Sequence, residues 1–115
     1  MVIGIGVDLV DVTRFEEHLA KTPKLLERLF LPTEREASVQ TVAGRWAAKE
    51  ALIKALGDSK GVQWHEVEIT KNSAGKPEIR TTGETAETVS NAGISKLHLS
   101  ISHDGNMAVA MVVAE

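Results

Sequence analysis

The chain predicts a single α+β domain over residues 1–115, with helices first and a mostly antiparallel sheet after them. Three observations predict it. The stretch Gly44–Gly57, GRWAAKEALIKALG, is dense in Ala, Leu, Lys and Glu, the strong helix formers. After Gly57 the spacing of apolar residues changes from helical to alternating. Near the end, Met107–Ala114 is almost continuously apolar, which suits a buried strand and not a free sheet edge.

Taken in order, Val2–Leu9 reads as a strand with two unlike faces. Ile3, Ile5, Val7 and Leu9 fall on one face, expected to be core. Val2, Gly4, Gly6 and Asp8 fall on the other, a flat face that lets a neighbour come close. Gly4 and Gly6 begin a GxGxxG-like pattern, but Leu9 stands at the third glycine, so a dinucleotide fingerprint is rejected. Asp11 is placed to cap a helix over Val12–Ala20. Pro23 suits the start of a helical piece over Lys24–Leu31, which Pro32 ends. Thr33-Glu34-Arg35-Glu36 has the form of a capping box opening a helix to about Gln40. Thr41 leads into the central helix, which Gly57 stops. Val62–Lys71 alternates around Trp64, Val67 and Ile69. Asn72–Gly75 is a turn and Pro77–Thr81 a short returning strand. Gly83–Asn91 is a small polar helix stopped near Gly93. Lys96–His103 is a strand, and Asp104-Gly105-Asn106 a hairpin turn into Met107–Ala114. There is no linker, repeat or low-complexity segment.

Bulk composition removes several classes of function. Hydrophobic residues are 43% and charged residues 25% of the chain, as in ordinary globular proteins. A net charge of −3 makes no case for nucleic acid, and aromatics at 3% leave no base-stacking surface. With no cysteine, disulfides, thiolate nucleophiles and zinc–sulfur sites are excluded. The first residues lack the basic region and long apolar region of a signal peptide, and no run approaches the length of a membrane span. A cytoplasmic protein is expected.

Two acids carry the chemistry. Asp8 sits at the end of the flat strand face. Glu50 lies mid-helix beside the apolar stripe of Trp46, Ile53 and Leu56, where an unpaired charge is costly. Carboxylates with water and phosphate oxygens suit Mg²⁺. An ion pair between Glu50 and Lys54, four residues on, is the competing structural reading. Leu99-Ser-Ile-Ser-His-Asp104 places Ser102 and His103 at a strand end. Neighbours on a strand face opposite ways, so these residues form no Ser–His–Asp relay among themselves. A hydroxyl and an imidazole there suit phosphate binding. His18, His65 and His98 are scattered without metal-ligand spacing and read as surface or edge residues. Arg14, Lys21, Lys24 and Arg28 make the first helices basic in an acidic chain; a solvated helix face is the plain alternative.

Three pieces in order, the GIGVDLVDVTR start, the GRWAAKEALIKALG helix and the terminal HLSISHD strand, resemble holo-acyl-carrier-protein synthase. This is the small bacterial type of 4′-phosphopantetheinyl transferase. The resemblance covers nearly the whole chain, and the WxxKEAxxK core is shared with the wider superfamily. One departure is a segment between Glu34-Arg-Glu-Ala37 and Arg45 that is shorter than usual. The resemblance implies transfer of the phosphopantetheine arm of coenzyme A to a serine of an acyl carrier protein, releasing adenosine 3′,5′-bisphosphate. It implies Asp8 and Glu50 as Mg²⁺ ligands, with Glu50 and Lys54 catalytic. Arg45, Lys49, Lys54, Ser102 and His103 are implied as coenzyme A phosphate contacts. Arg14, Lys21, Lys24 and Arg28 become the dock for an acidic carrier helix, and the assembly a homotrimer with active sites between subunits. Another Mg²⁺-dependent phosphate enzyme and a non-catalytic carrier-binding module are the readings from other classes.

Overall fold

A computed structural model describes residues 1–115. Strand β1 spans Gly4–Asp11, followed by α1 (Val12–Lys21), α2 (Leu25–Leu29), α3 (Pro32–Arg35) and α4 (Val39–Leu56). A short 3-10 turn at Trp64–Glu66 leads into β2 (Val67–Lys71) and β3 (Pro77–Thr81). Then come α5 (Gly83–Asn91), β4 (Leu97–Asp104) and β5 (Met107–Ala114). All strand pairings are antiparallel, in a sheet of order β1-β5-β4 and a separate β2-β3 hairpin. The α+β class is as expected, and the apolar β5 is the central strand. No helix is long and apolar enough to cross a membrane.

Helix α4 is the spine. Ser38 caps it by accepting from the Thr41 amide at 3.2 Å, and Gly57 ends it at φ +98°, where a left-handed residue favours glycine. Its Ala47, Ala48, Ala51, Leu52 and Ala55 are buried against the sheet. The sheet answers with small residues, namely Ala108, Ala110 and Ala114 on β5 and Gly4 and Gly6 on β1. A Cβ at Gly4 would run into the Ala55 carbonyl, and one at Gly6 into the Ala51 carbonyl. The glycines therefore set how closely helix and strand approach.

This packing reverses the expected faces of β1. The glycine face meets the core helix. Ile3, Ile5, Val7 and Leu9 point outward and are 47–60% exposed. They are not core in this chain. Met111 on β5, the register partner of Val7, extends the apolar face at 44% exposure.

Local elements differ from expectation where turn chemistry was misread. Thr33 is not a cap; its hydroxyl donates to Glu68 at 2.7 Å. The turn begins one step earlier, with Pro32 as its first residue and the Glu34 carboxylate accepting from the Leu31 amide at 2.8 Å. No separate helix runs to Gln40, because α4 starts at Val39 and takes up that segment. Trp64 lies in the 3-10 turn before the strand it was expected to join. Asp11 does cap α1, accepting from the Arg14 amide at 3.0 Å.

Candidate active site

Close packing of β1 on α4 decides what Asp8 meets. It follows Gly4 and Gly6 on the helix-facing side of β1, so its carboxylate arrives beside α4. The Lys54 ammonium donates to Asp8 Oδ1 at 3.1 Å and to the Val7 carbonyl at 3.0 Å. Lys54 thus pairs with an acid distant in sequence, and the Glu50–Lys54 ion pair considered from the helix spacing is absent. Glu50 is left with its charge largely uncompensated. Burial holds its carboxyl above the usual range, the Asp8 charge adds to this, and Lys54 opposes it.

Nowhere does the chain gather three or more His, Asp or Glu in a metal-holding group. A cation here would find two hard carboxylate oxygens and no more protein ligands. That fits Mg²⁺, which takes one or two carboxylates and leaves positions for water and substrate phosphates. A divalent cation would also offset the burial of the Glu50 charge and the smaller repulsion from Asp8 that together raise its carboxyl.

Asp8 and Glu50 open on a groove that Phe15 and Trp46 line with Arg14 and His18. His18 is exposed, as expected of a surface or edge residue, and lies on the lining of this groove. The available signal was spacing, since Arg14, His18 and Lys21 recur at i, i+4 and i+7 on one face of α1.

Arg45 and His103 meet at a second groove on the same, α4-facing side of the sheet but at its β4 edge, with Thr41 of α4 and Lys71 of β2. His103 is hydrogen bonded through Nε2 to the Gln40 carbonyl at 2.8 Å. It fits because residue 44 is glycine, whose added Cβ would stand 2.9 Å from that nitrogen. Lys71 was not foreseen, because nothing in its local pattern marks it. Ser102 is exposed on the opposite face of β4, in register with Val109 and, through it, Leu9. With β5 between β1 and β4, Asp8 and Ser102 lie two strand spacings apart, about 10 Å.

Lys49 requires a correction. It was expected to contact phosphate, yet it is wholly buried. Its ammonium donates to Glu34 Oε1 at 2.7 Å, the Leu29 carbonyl at 2.8 Å and the Trp64 carbonyl at 3.0 Å. Glu34 is buried too, and its other oxygen accepts from the Ile69 amide at 3.0 Å. Burial pushes the Lys49 ammonium below its usual range, while Glu34 works against the shift. Lys49 holds α4 to the segment before it and to the 3-10 turn. Replacing it with Met strands the Glu34 carboxylate, which costs about 3–5 kcal/mol for a broken buried pair. Urea unfolding should show that loss; full stability with weakened coenzyme A binding would return Lys49 to the phosphate site.

The basic residues of the first helices occupy two places. Arg14 faces the Asp8–Glu50 groove and Lys21 is exposed at the end of α1. Lys24 and Arg28 line a separate groove with Arg35 and His65, where His65 is hydrogen bonded to the Glu27 carbonyl at 2.6 Å. His98 pairs at a sheet edge with Glu115 at 3.0 Å.

The sequence and the fold match known proteins. Residues 4–112 match the family described as the 4′-phosphopantetheinyl transferase superfamily. A holo-[acyl-carrier-protein] synthase of Frankia casuarinae is 49% identical, the alignment covering 99% of this chain and 98% of that one. The crystal structure of the synthase from Neisseria meningitidis superposes with a TM-score of 0.93 at 31% identity, covering 100% of this chain and 99% of its own. That of Helicobacter pylori, in complex with coenzyme A, gives 0.85 at 32% identity and covers 96% of this chain and 99% of its own. The chain belongs to the 4′-phosphopantetheinyl transferase superfamily and, within it, to the holo-[acyl-carrier-protein] synthases. It is a transferase acting between coenzyme A and an acyl carrier protein.

Proposed function

We propose that the enzyme moves the 4′-phosphopantetheine arm of coenzyme A to a serine of apo acyl carrier protein, with Mg²⁺, releasing adenosine 3′,5′-bisphosphate. The observation that carries this reading is the Asp8–Glu50–Lys54 cluster, where two under-neutralised carboxylates meet one ammonium. Asp8 and Glu50 would hold Mg²⁺, which supplies charge neutralisation and orientation of a pyrophosphate for in-line attack. The Lys54 side chain is 54% exposed, so it can turn from Asp8 to a phosphate bearing developing charge. Arg45 and His103 would take further phosphates, including the 3′-phosphate, with Ser102 contributing from the outer face. The test is release of adenosine 3′,5′-bisphosphate that requires carrier, coenzyme A and divalent cation together. Release without carrier would point to another phosphate-handling activity. Carrier binding without release would point to a binding module.

Two features support a homotrimer with sites between subunits. Ile5, Val7, Leu9 and Met111 form an exposed apolar face of a kind monomers rarely keep. Ser102 opens on that same face, away from Asp8. Sedimentation should give a trimer; an active monomer at micromolar concentration contradicts the arrangement.

Arg14, Lys21, Lys24 and Arg28 would steer an acidic carrier helix. Exposed charges act mainly on association and are screened beyond about 8–10 Å at physiological salt. Carrier KM should therefore rise with salt. Arg14→Glu or Arg28→Glu should raise it more than the KM for coenzyme A. A carrier KM flat across salt would leave these residues as a solvated surface.

A further inference from the structure

Asn106 lies in the tight turn between β4 and β5, yet three of its hydrogen bonds reach the start of α1. Its carbonyl accepts from the Val12 amide at 2.8 Å, one of the donors a helix start leaves unpaired. Its side-chain Nδ2 donates to Asp11 Oδ1 at 2.8 Å, and its Oδ1 accepts from the Thr13 hydroxyl at 2.8 Å. Asp11 Oδ1 is also the cap that accepts from the Arg14 amide. One turn residue therefore holds three consecutive residues at the strand-to-helix corner, and through the shared oxygen it reaches a fourth.

The rest of α1 is lightly anchored. Among its residues only Val12 and Phe15 are buried, and no loop residue separates β1 from α1. The pitch of the helix is set at its first turn. That pitch determines where Arg14 and His18 stand over the groove that Asp8 and Glu50 share.

We propose that Asn106 is a positioning residue, a clasp that fixes α1 over the Asp8–Glu50 groove and so aligns a docked carrier with the transferring phosphate. The proposal rests on reading α1 as part of the carrier dock. A misplacement of about 1 Å far from the chemistry can cost up to roughly a hundredfold in rate. A clasp of exposed hydrogen bonds should give less, about tenfold in kcat/KM for the carrier. The side chains read as coenzyme A phosphate contacts, Arg45, Lys54 and His103, all lie outside α1, so the coenzyme A KM should stay within about twofold.

The test uses the full chain and apo carrier. Asn106→Ala should lower kcat/KM for the carrier about tenfold, with the coenzyme A KM unchanged. Asn106→Asp should do the same, because it replaces a donor by a carboxylate facing Asp11. Adding Asp11→Asn to Asn106→Asp removes the like-charge contact but not the mismatch, because the single Asp11 atom that accepts from both Arg14 and Asn106 cannot become acceptor for one and donor for the other. This pair should therefore stay below the unmutated protein in kcat/KM for the carrier. An unchanged carrier kcat/KM in both single variants overturns the proposal. So does a parallel loss toward both substrates that tracks a fall in melting temperature. If the unmutated protein transfers nothing, the functional reading fails separately. Amide exchange then reads the clasp. Faster exchange at Val12 and Arg14 in Asn106→Ala supports it, and unchanged exchange overturns it.

Discussion

Replacing Asp8 or Glu50 with alanine should abolish transfer, to below about one-thousandth of the unmutated rate, while the protein stays folded. The magnitude follows from removing one of only two protein ligands to a cation on which the electrostatics of phosphoryl transfer depend. Neither carboxylate holds the core together. The Asp8 side chain is 17% exposed, and Glu50 has no ion-pair partner. Near-normal turnover in either variant at low Mg²⁺ would remove the metal assignment. The isosteric change Glu50→Gln adds a sign. The folded chain holds the Glu50 proton more tightly than the unfolded chain, because burial and then Asp8 raise its carboxyl. Above the ordinary carboxylate range the ionised group therefore costs stability, and the cost grows as pH rises through the raised value. In chelator at neutral pH, Glu50→Gln should melt higher than the unmutated protein. The gap should close as pH falls below the ordinary range. A lower melting temperature would mean that Glu50 is a structural partner after all.

Lys54→Met should reduce kcat about a hundredfold, with a smaller change in coenzyme A binding. Loss of one electrostatic contact to developing charge typically costs about 3 kcal/mol. The observed bond from Lys54 to Asp8 is more than half exposed on the lysine side, and such pairs contribute little to stability, about 0–1 kcal/mol. Melting temperature should barely move. Melting temperature and kcat measured on one preparation separate the two roles. A large drop in melting temperature with unchanged kcat would make Lys54 a structural partner of Asp8.

Much of this site was legible because it rests on short-range patterns. Asp8 ends a glycine-lined strand face, Glu50 sits mid-helix among apolar residues, and Lys54 follows one turn later. Asp11 as a cap, Gly57 as a stop and the hairpin turn before Met107 are likewise local. What could not be read depended on contacts between distant residues. Lys54 took Asp8 as its partner because β1 lies against α4, a contact that i,i+4 spacing cannot show. Lys49 looked like one more helix cation. Its burial depends on Glu34, brought from another turn. The faces of β1 were reversed because the rule that apolar side chains point inward takes no account of how closely a neighbouring helix must approach. The small residues held the contrary signal. Gly4 and Gly6 match Ala51 and Ala55 of α4, and a helix that close needs the glycine side. Ile5, Val7 and Leu9 then have nowhere to go but outward.

The most direct measurement is the intact mass of apo acyl carrier protein after incubation with this enzyme, coenzyme A and Mg²⁺, beside the same mixture in chelator. The account predicts a gain of one phosphopantetheine unit on the carrier serine with Mg²⁺, none in chelator, and none with Glu50→Ala in either. An unmodified carrier in the complete mixture, or equal modification in chelator, would contradict it.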